Sequence, residues 1–391
     1  MTLNLMQASD QWATRPNDER FWSLSDMHAA TLAHRNASTE VLRPMKDCNL
    51  TATDRGVAME FMDGGAAEVS HYAFTQVCRQ LGAPASYLRQ LPSRLAVDCL
   101  NTNAGRLENP DKERNLLLDT SDPSRYRVRA TTSDRYVRVW NHELVEALQG
   151  LESEGWVVPP ARPTGLEDAG TTRIATVNDC IDFGTASPLT VKPGDEIAPA
   201  GLYASDHDMF AFLINPEIEI DNGLSPAGMR RGTMLRQSEV GACSIWKLDF
   251  LFDTVCGNHI VWDAREVSET RVRHMGSSVE DNWVAMVRNI TEEAQMSAQE
   301  QEADIKRAQE IILGSGRDEI MSLLFKHRWA TKRLAGSAFD AAEEHSELHG
   351  DPHSLWGMVS GMTRLSQKSK YADERASLDR AAGKMLAHCL N

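Results

Sequence analysis

Hydrophobic positions recur with different periods along the chain, and the changes of period divide it into three stretches. Over residues 1–115 short strand and helix patterns mix. Val57, Met59 and Phe61 occupy alternate positions and run into Asp63-Gly64-Gly65, which predicts a strand ending in a turn. Phe74, Val77, Cys78 and Leu81 then fall at helical spacing and stop at Gly82. Pro84 opens a short helix carrying Tyr87, Leu88 and Leu91, and Pro92 opens another carrying Leu95, Cys99 and Leu100. The polar run from Asn101 to Arg114 reads as a connection.

Residues 116–277 read mainly as strands. From Arg125 to Ala130 the arginines 125, 127 and 129 fall on one face, with Tyr126, Val128 and Ala130 on the other. That is the alternation of a strand with one wet face. Asn141-His142 is expected to cap a helix through Leu144, Val145 and Leu148 that ends at Gly150. Further strands are predicted over residues 173–183, 209–220, 232–240, 242–252 and 259–262, with Trp246, Leu248, Phe250 and Phe252 opposite Lys247 and Asp249. Residues 159–170 and 187–201 carry the glycine, proline and aspartate of loops.

Residues 278–391 turn helical. Trp283, Val287, Ile290, Ala294, Ile305, Ala308 and Ile312 trace one apolar stripe, flanked by acidic residues and stopped by Gly314-Ser-Gly316. Shorter helices are predicted over residues 320–334, 338–348, 355–365 and 372–390. The fold class that follows is α+β. A central, mainly antiparallel sheet is preceded by an N-terminal α/β segment and followed by a helical region containing one long helix.

Bulk properties narrow the function classes. With 391 residues and 41% hydrophobic content the chain can bury a large core. A net charge of −15 argues against indiscriminate adhesion to nucleic acid or membranes, while leaving room for a local basic surface. The seven cysteines include no C-x-x-C pair, so reduced thiols in a cytoplasm are expected rather than a disulfide framework or a zinc finger. No basic head and apolar run opens the chain, and its longest apolar stretch, residues 209–214, is far short of a membrane span. Neither a signal peptide nor a membrane partner is expected.

Motifs for phosphate loops, dinucleotide folds, nucleophile elbows and zinc hydrolases are absent, and no cofactor is implied. His345, His349 and His353 are spaced four apart among Glu344, Glu347 and Asp351. The first two could ligate a metal from one helix, but Gly350 and Pro352 break that helix, and histidines at a helix C-terminus suit the dipole without any metal. Asp206-His207-Asp208, with Ser133, Asp134 and Arg135, offers an imidazole for acid/base work or, alternatively, ordinary turn chemistry.

The strand arginines are the main candidate site. Arg125, Arg127 and Arg129 are followed by Arg135, Tyr136, Arg138 and Trp140, and later strands carry Arg230, Arg231, Arg236, Lys247, Arg271 and Arg273. Guanidinium forks match phosphate oxygens, and the interleaved aromatics can stack on unpaired bases. If these strands share one sheet they form a basic track. The competing expectations are a solvated face whose arginines pair with nearby carboxylates and a site for a smaller anion.

Several segments resemble a family of uncharacterised phage- and plasmid-encoded proteins. They are Ser70-His-Tyr-Ala-Phe with Leu81-Gly-Ala-Pro-Ala-Ser-Tyr-Leu-Arg, Tyr126-Arg-Val-Arg-Ala with Ser133-Asp-Arg-Tyr, and Ser238-Glu-Val-Gly. Phe252-Asp-Thr-Val-Cys-Gly-Asn-His-Ile-Val, Arg273-His-Met-Gly and Leu355-Trp-Gly-Met also fit. The resemblance runs from about residue 50, departs at His259 where glycine is expected, and loosens after Leu365. It supplies no catalytic residues. It implies a cytoplasmic protein of a bacterial host's mobile elements. Together with the strand arginines and their interleaved aromatics, that setting gives the leading expectation of a non-enzymatic partner of DNA, expected single-stranded, in recombination or strand annealing as a homo-oligomer. The alternative is a scaffold that docks on a host protein through the long helix.

Overall fold

The computed structural model describes residues 19–62, 64–159, 172–181, 190–199, 201–224, 228–253, 259–261, 269–368 and 372–391. The chain folds as an α+β protein built on two large sheets and a C-terminal set of helices.

The chain begins with β1 (Arg20–Phe21), α1 (Leu24–Asn36), β2 (Ser38–Pro44), β3 (Cys48–Thr53), β4 (Gly56–Phe61) and β5 (Ala66–Val69). Ser23 caps α1 by accepting the Asp26 amide N–H. The helices α2 (His71–Gln80), α3 (Ala85–Leu88) and α4 (Ser93–Ala104) follow at the positions that periodicity predicts. Then come β6 (Glu113–Asp119), β7 (Arg127–Ser133) and α5 (Asn141–Glu152). The N-terminal sheet has the order β2-β6-β7-β5-β4-β3, antiparallel except where β5 runs beside β7. Its core joins Leu50, Met59, Leu116 and Val128 of the sheet to Val77, Val97 and Leu100 of the helices.

The second sheet takes β10 (Leu202–Ala204), β11 (Met209–Ile220), β12 (Met229–Gln237) and β13 (Ile245–Asp253) in order, with β1 on the outside of β10. Two short strands, β14 (His259–Val261) and β15 (Glu269–Val272), pair successive parts of β13. Between α5 and β10 lies the small ladder of β8 (Arg173–Ile174) and β9 (Glu196–Ile197). The strand expected over residues 173–183 is therefore only two residues long, and its end lies outside the described residues. The alternation on β13 holds, but both faces are buried. Trp246, Leu248, Phe250 and Phe252 join Tyr203, Phe210 and Phe212 on one face, while Ile245 and Leu251 turn to helices on the other. Gly232 is required at its place in β12, since a Cβ there would meet the Phe250 ring at 2.2 Å.

The predicted long helix is two helices, α6 (Val279–Arg288) and α7 (Ile290–Glu310), divided at Asn289. After them come α8 (Arg317–Lys326), α9 (Lys332–Glu344), α10 (Ser346–His349), α11 (Leu355–Gln367) and α12 (Ala372–Leu390). Stripe residues Trp283, Val287, Ile290 and Ala294 pack into the core beneath the second sheet, and Ile305 and Ala308 into the core of the terminal helices. The helix predicted over residues 320–334 is a helix–turn–helix corner, α8–α9, and the one over residues 338–348 divides at His345 between α9 and α10. No described helix is long and apolar enough to cross a membrane.

Candidate nucleic-acid interface

The strand arginines do not line one wall. Arg127 and Arg129 lie on β7 in the N-terminal sheet, whereas Arg230, Arg231 and Arg236 lie on β12 in the second. Most meet a carboxylate. Arg125, in the turn before β7, donates through Nε and Nη2 to Glu68, at 3.0 and 2.6 Å. Arg127 lies 3.4 Å from both Asp119 and Asp206. Arg129 is buried, not wet, and its Nη2 donates to Glu239 at 3.0 Å. On β12 alternation sends Arg230 and Arg236 to the aromatic face and Arg231 to the face beneath α7. Arg230 lies 3.6 Å from Glu219, Arg236 lies 3.4 Å from Asp208, and Arg231 lies 3.9 Å from Asp249. Lys247 is buried between Asp249 and Glu293. Burial opposes its charge, but the two carboxylates outweigh burial and hold it above its usual pKa.

Three of the candidate arginines, Arg127, Arg129 and Arg138, build a junction between the sheets. The loop that joins β12 to β13 reaches across to the N-terminal sheet and presents Glu239, which is buried. One carboxylate oxygen of Glu239 accepts from Arg129 and the other from the Asn141 amide N–H at 2.8 Å. Its carbonyl accepts from Arg138, whose Nε also donates to Glu40 at 2.7 Å. Gln76 on α2 donates to the Val240 carbonyl at 2.8 Å and accepts the Thr131 amide N–H of β7. An ion pair removed from water in this way is held by the hydrogen bonds that complete it, and losing one partner is costly.

The aromatics meant for bases are occupied as well. The Arg35 guanidinium lies 4.1 Å from the Trp140 ring centre, and Arg138 lies 5.7 Å from Trp140 and 5.3 Å from Tyr136. His274 stacks on Tyr136 at 4.9 Å. Burial lowers the His274 pKa to about 4, so that ring is neutral at pH 7. Arg271 lies over Trp246 at 5.3 Å. Arg135 and Arg273 are exposed, beside the short bridge between Tyr136 and Met275.

The remaining candidates resolve locally. His345 ends α9 while His349 belongs to α10, where it is buried 3.8 Å from Asp253, so the two do not share a helix. No group of three metal-ligating side chains exists among the described residues. Asp206, His207 and Asp208 form the turn from β10 to β11, in which the Ser205 hydroxyl accepts the amide N–H groups of His207 and Asp208. Ser133 ends β7 on the other sheet, with Asp134 and Arg135 in the turn after it.

A basic surface does exist, at the α8–α9 corner. Residues 325–333 read Phe-Lys-His-Arg-Trp-Ala-Thr-Lys-Arg, with four cations, two large aromatics and no acid. After α8 ends, Arg328 takes the left-handed conformation, φ 59°, where helix ends ordinarily use glycine. The Trp329 amide N–H reaches back to the Leu324 carbonyl at 3.0 Å, and Thr331 then caps α9 by accepting the Leu334 amide N–H. Lys326, Arg328, Lys332 and Arg333 are exposed, and none forms an ion pair among the described residues. Lys384 on α12, one turn from Ala381 and one from His388, is equally exposed and unpaired there. The His327 ring stacks on Trp329 at 4.6 Å, and the Lys332 ammonium lies 5.4 Å from the ring centre of half-exposed Phe325. Between this corner and α12 runs a groove of about 440 Å³.

Periodicity could not find this site, because Leu323, Leu324 and Leu334 carry a helical pattern across the turn. The signal was charge: a nine-residue run of cations and aromatics without a carboxylate in a chain this acidic. No family model, curated protein or solved structure matches the chain.

Proposed function

We propose that the protein binds nucleic acid by its phosphate backbone through the α8–α9 corner, and that this serves DNA metabolism of a mobile element. The observation that carries the reading is the set of exposed, unpaired cations Lys326, Arg328, Lys332 and Arg333 beside Phe325 and Trp329. On a chain of net charge −15 such a cluster attracts polyanions locally while the rest of the surface repels them. The class of partner is the one expected from the strand arginines, but the surface is different. Arg129, Arg138 and Lys247 serve the fold through their carboxylate partners.

The test is fluorescence anisotropy of the full chain with labelled oligonucleotides at about 50 and 200 mM salt. Binding at the lower salt should weaken steeply at the higher, and Lys326→Ala/Arg328→Ala/Lys332→Ala should remove most of it with the fold intact by circular dichroism. An absence of binding at low salt would end the reading.

A further inference from the structure

We infer that the groove beside Trp329 receives one unpaired base of a bound strand, so that the corner prefers single-stranded to double-stranded nucleic acid. This rests on the backbone-binding reading above and adds to it a subsite with its own chemistry. Phe325 stands half-exposed at the groove, Trp329 forms a wall, and Ala330, Leu334, Leu378 and Ala381 supply an apolar lining. His327 stacks on one face of the indole and His388 meets it edge-on at 5.4 Å; both histidines stay outside the groove, which borders the part of the ring they leave uncovered. A volume of about 440 Å³ lies within the range in which proteins hold flat small ligands. The lining is not wholly apolar. Thr331 borders it with a hydroxyl whose oxygen accepts the Leu334 amide N–H and whose proton is left to donate.

The charge around the groove selects the occupant. Arg328 is itself part of the wall; Lys326, Lys332 and Arg333 are exposed next in sequence to lining residues, Lys384 lies one turn from Ala381, and none of these cations is ion-paired among the described residues. A largely apolar, aromatic-walled slot with one cation in its wall and others on the neighbouring residues complements a flat apolar group flanked by negative charge, which describes a base within its phosphates. Within a duplex the base faces are stacked on their neighbours, so a duplex can engage only the cations. An unpaired base can turn out of the strand and lie against Trp329.

The test uses the full chain and three probes of equal length: an oligothymidine, the same strand with abasic sites, and a duplex. The oligothymidine should bind about tenfold more tightly than the other two, as expected for one stacked base. Trp329→Ala should bring it down to their level. Ala381→Phe, which fills the groove while keeping every cation and the indole, should do the same even if loss of Trp329 disturbs the corner. Equal binding of all three probes, or an oligothymidine preference that survives Ala381→Phe, would overturn the base subsite and leave the backbone reading standing. Failure of every probe at low salt would overturn both. If Ala381→Phe instead abolished a dimer in light scattering, or binding to phosphatidylserine vesicles, the groove would belong to a second copy or to a membrane and the inference would fall.

Discussion

Glu239 is the residue on which the junction between the sheets most directly depends. It is buried and uses both carboxylate oxygens and its carbonyl to hold Arg129, Asn141 and Arg138. Glu239→Gln keeps the shape but leaves the Arg129 charge buried without its counter-ion, and should cost about 3 kcal/mol in urea unfolding. An Arg129→Met/Glu239→Leu pair, which removes both charges, should recover much of that loss. Nearby, His274 adds a pH dependence whose sign is fixed by its burial. Its ring is held neutral in the fold to about pH 4, whereas in the unfolded chain it takes up a proton below its usual 6.5. The contribution is whole above pH 6.5 and is lost as pH falls toward 4, by roughly 3 kcal/mol. His274→Gln should flatten that part of the profile, and an unchanged difference between pH 7 and pH 4.5 would refute it. The alternation expected from Arg125 to Ala130 is broken on β7: Arg125 and Tyr126 precede the strand, and a register shift at Arg129 sends Val128 and Ala130 into different cores. Nor could alternation show that Arg129 is dry, because Glu239 arrives from more than a hundred residues away.

At the scale of elements, legibility followed the strength of the local period. The helices α2 and α4, and the strands β4 and β11, lie within a few residues of where spacing, proline and glycine put them. Helix ends without those residues were invisible. α6 gives way to α7 at an asparagine, and α8 ends with an arginine in the left-handed conformation. Which sheet a strand joins was equally hidden, since β7 and β12 share a composition but pair with different neighbours. The terminal helices show why small residues sit where they do. A Cβ on Gly361 of α11 would come within 2.3 Å of the Ala338 carbonyl and 2.8 Å of the Ala342 Cβ on α9. Neither backbone nor methyl can swing aside, so Gly361→Ala should force the helices apart. A loss of about 2 kcal/mol, read as a lower melting temperature, is expected from such overpacking. Because the corner is made by α8 and α9 together, the same variant should also weaken oligonucleotide binding.

For the whole molecule the decisive quantity is where charge lies, not its sum. A net −15 repels a polyanion at long range, and a Debye length of about 10 Å at 0.1 M salt confines that repulsion to the near surface. Within that distance the four corner cations offer more unpaired charge than the strand arginines, since Arg129, Arg230, Arg231 and Arg236 already have carboxylates beside them and leave Arg135 and Arg273 as the exposed pair without one among the described residues. Each phosphate neutralised releases condensed counter-ion, so four contacts to a single strand give a logarithmic affinity-versus-salt slope of roughly −3. Lys326→Ala/Arg328→Ala should bring the slope to about half that value while leaving the urea midpoint unchanged. Arg236→Ala should do the reverse, because it takes from the buried Asp208 carboxylate its arginine partner and touches no phosphate. A slope that responded to Arg236 and ignored Lys326 and Arg328 would return the binding surface to the second sheet.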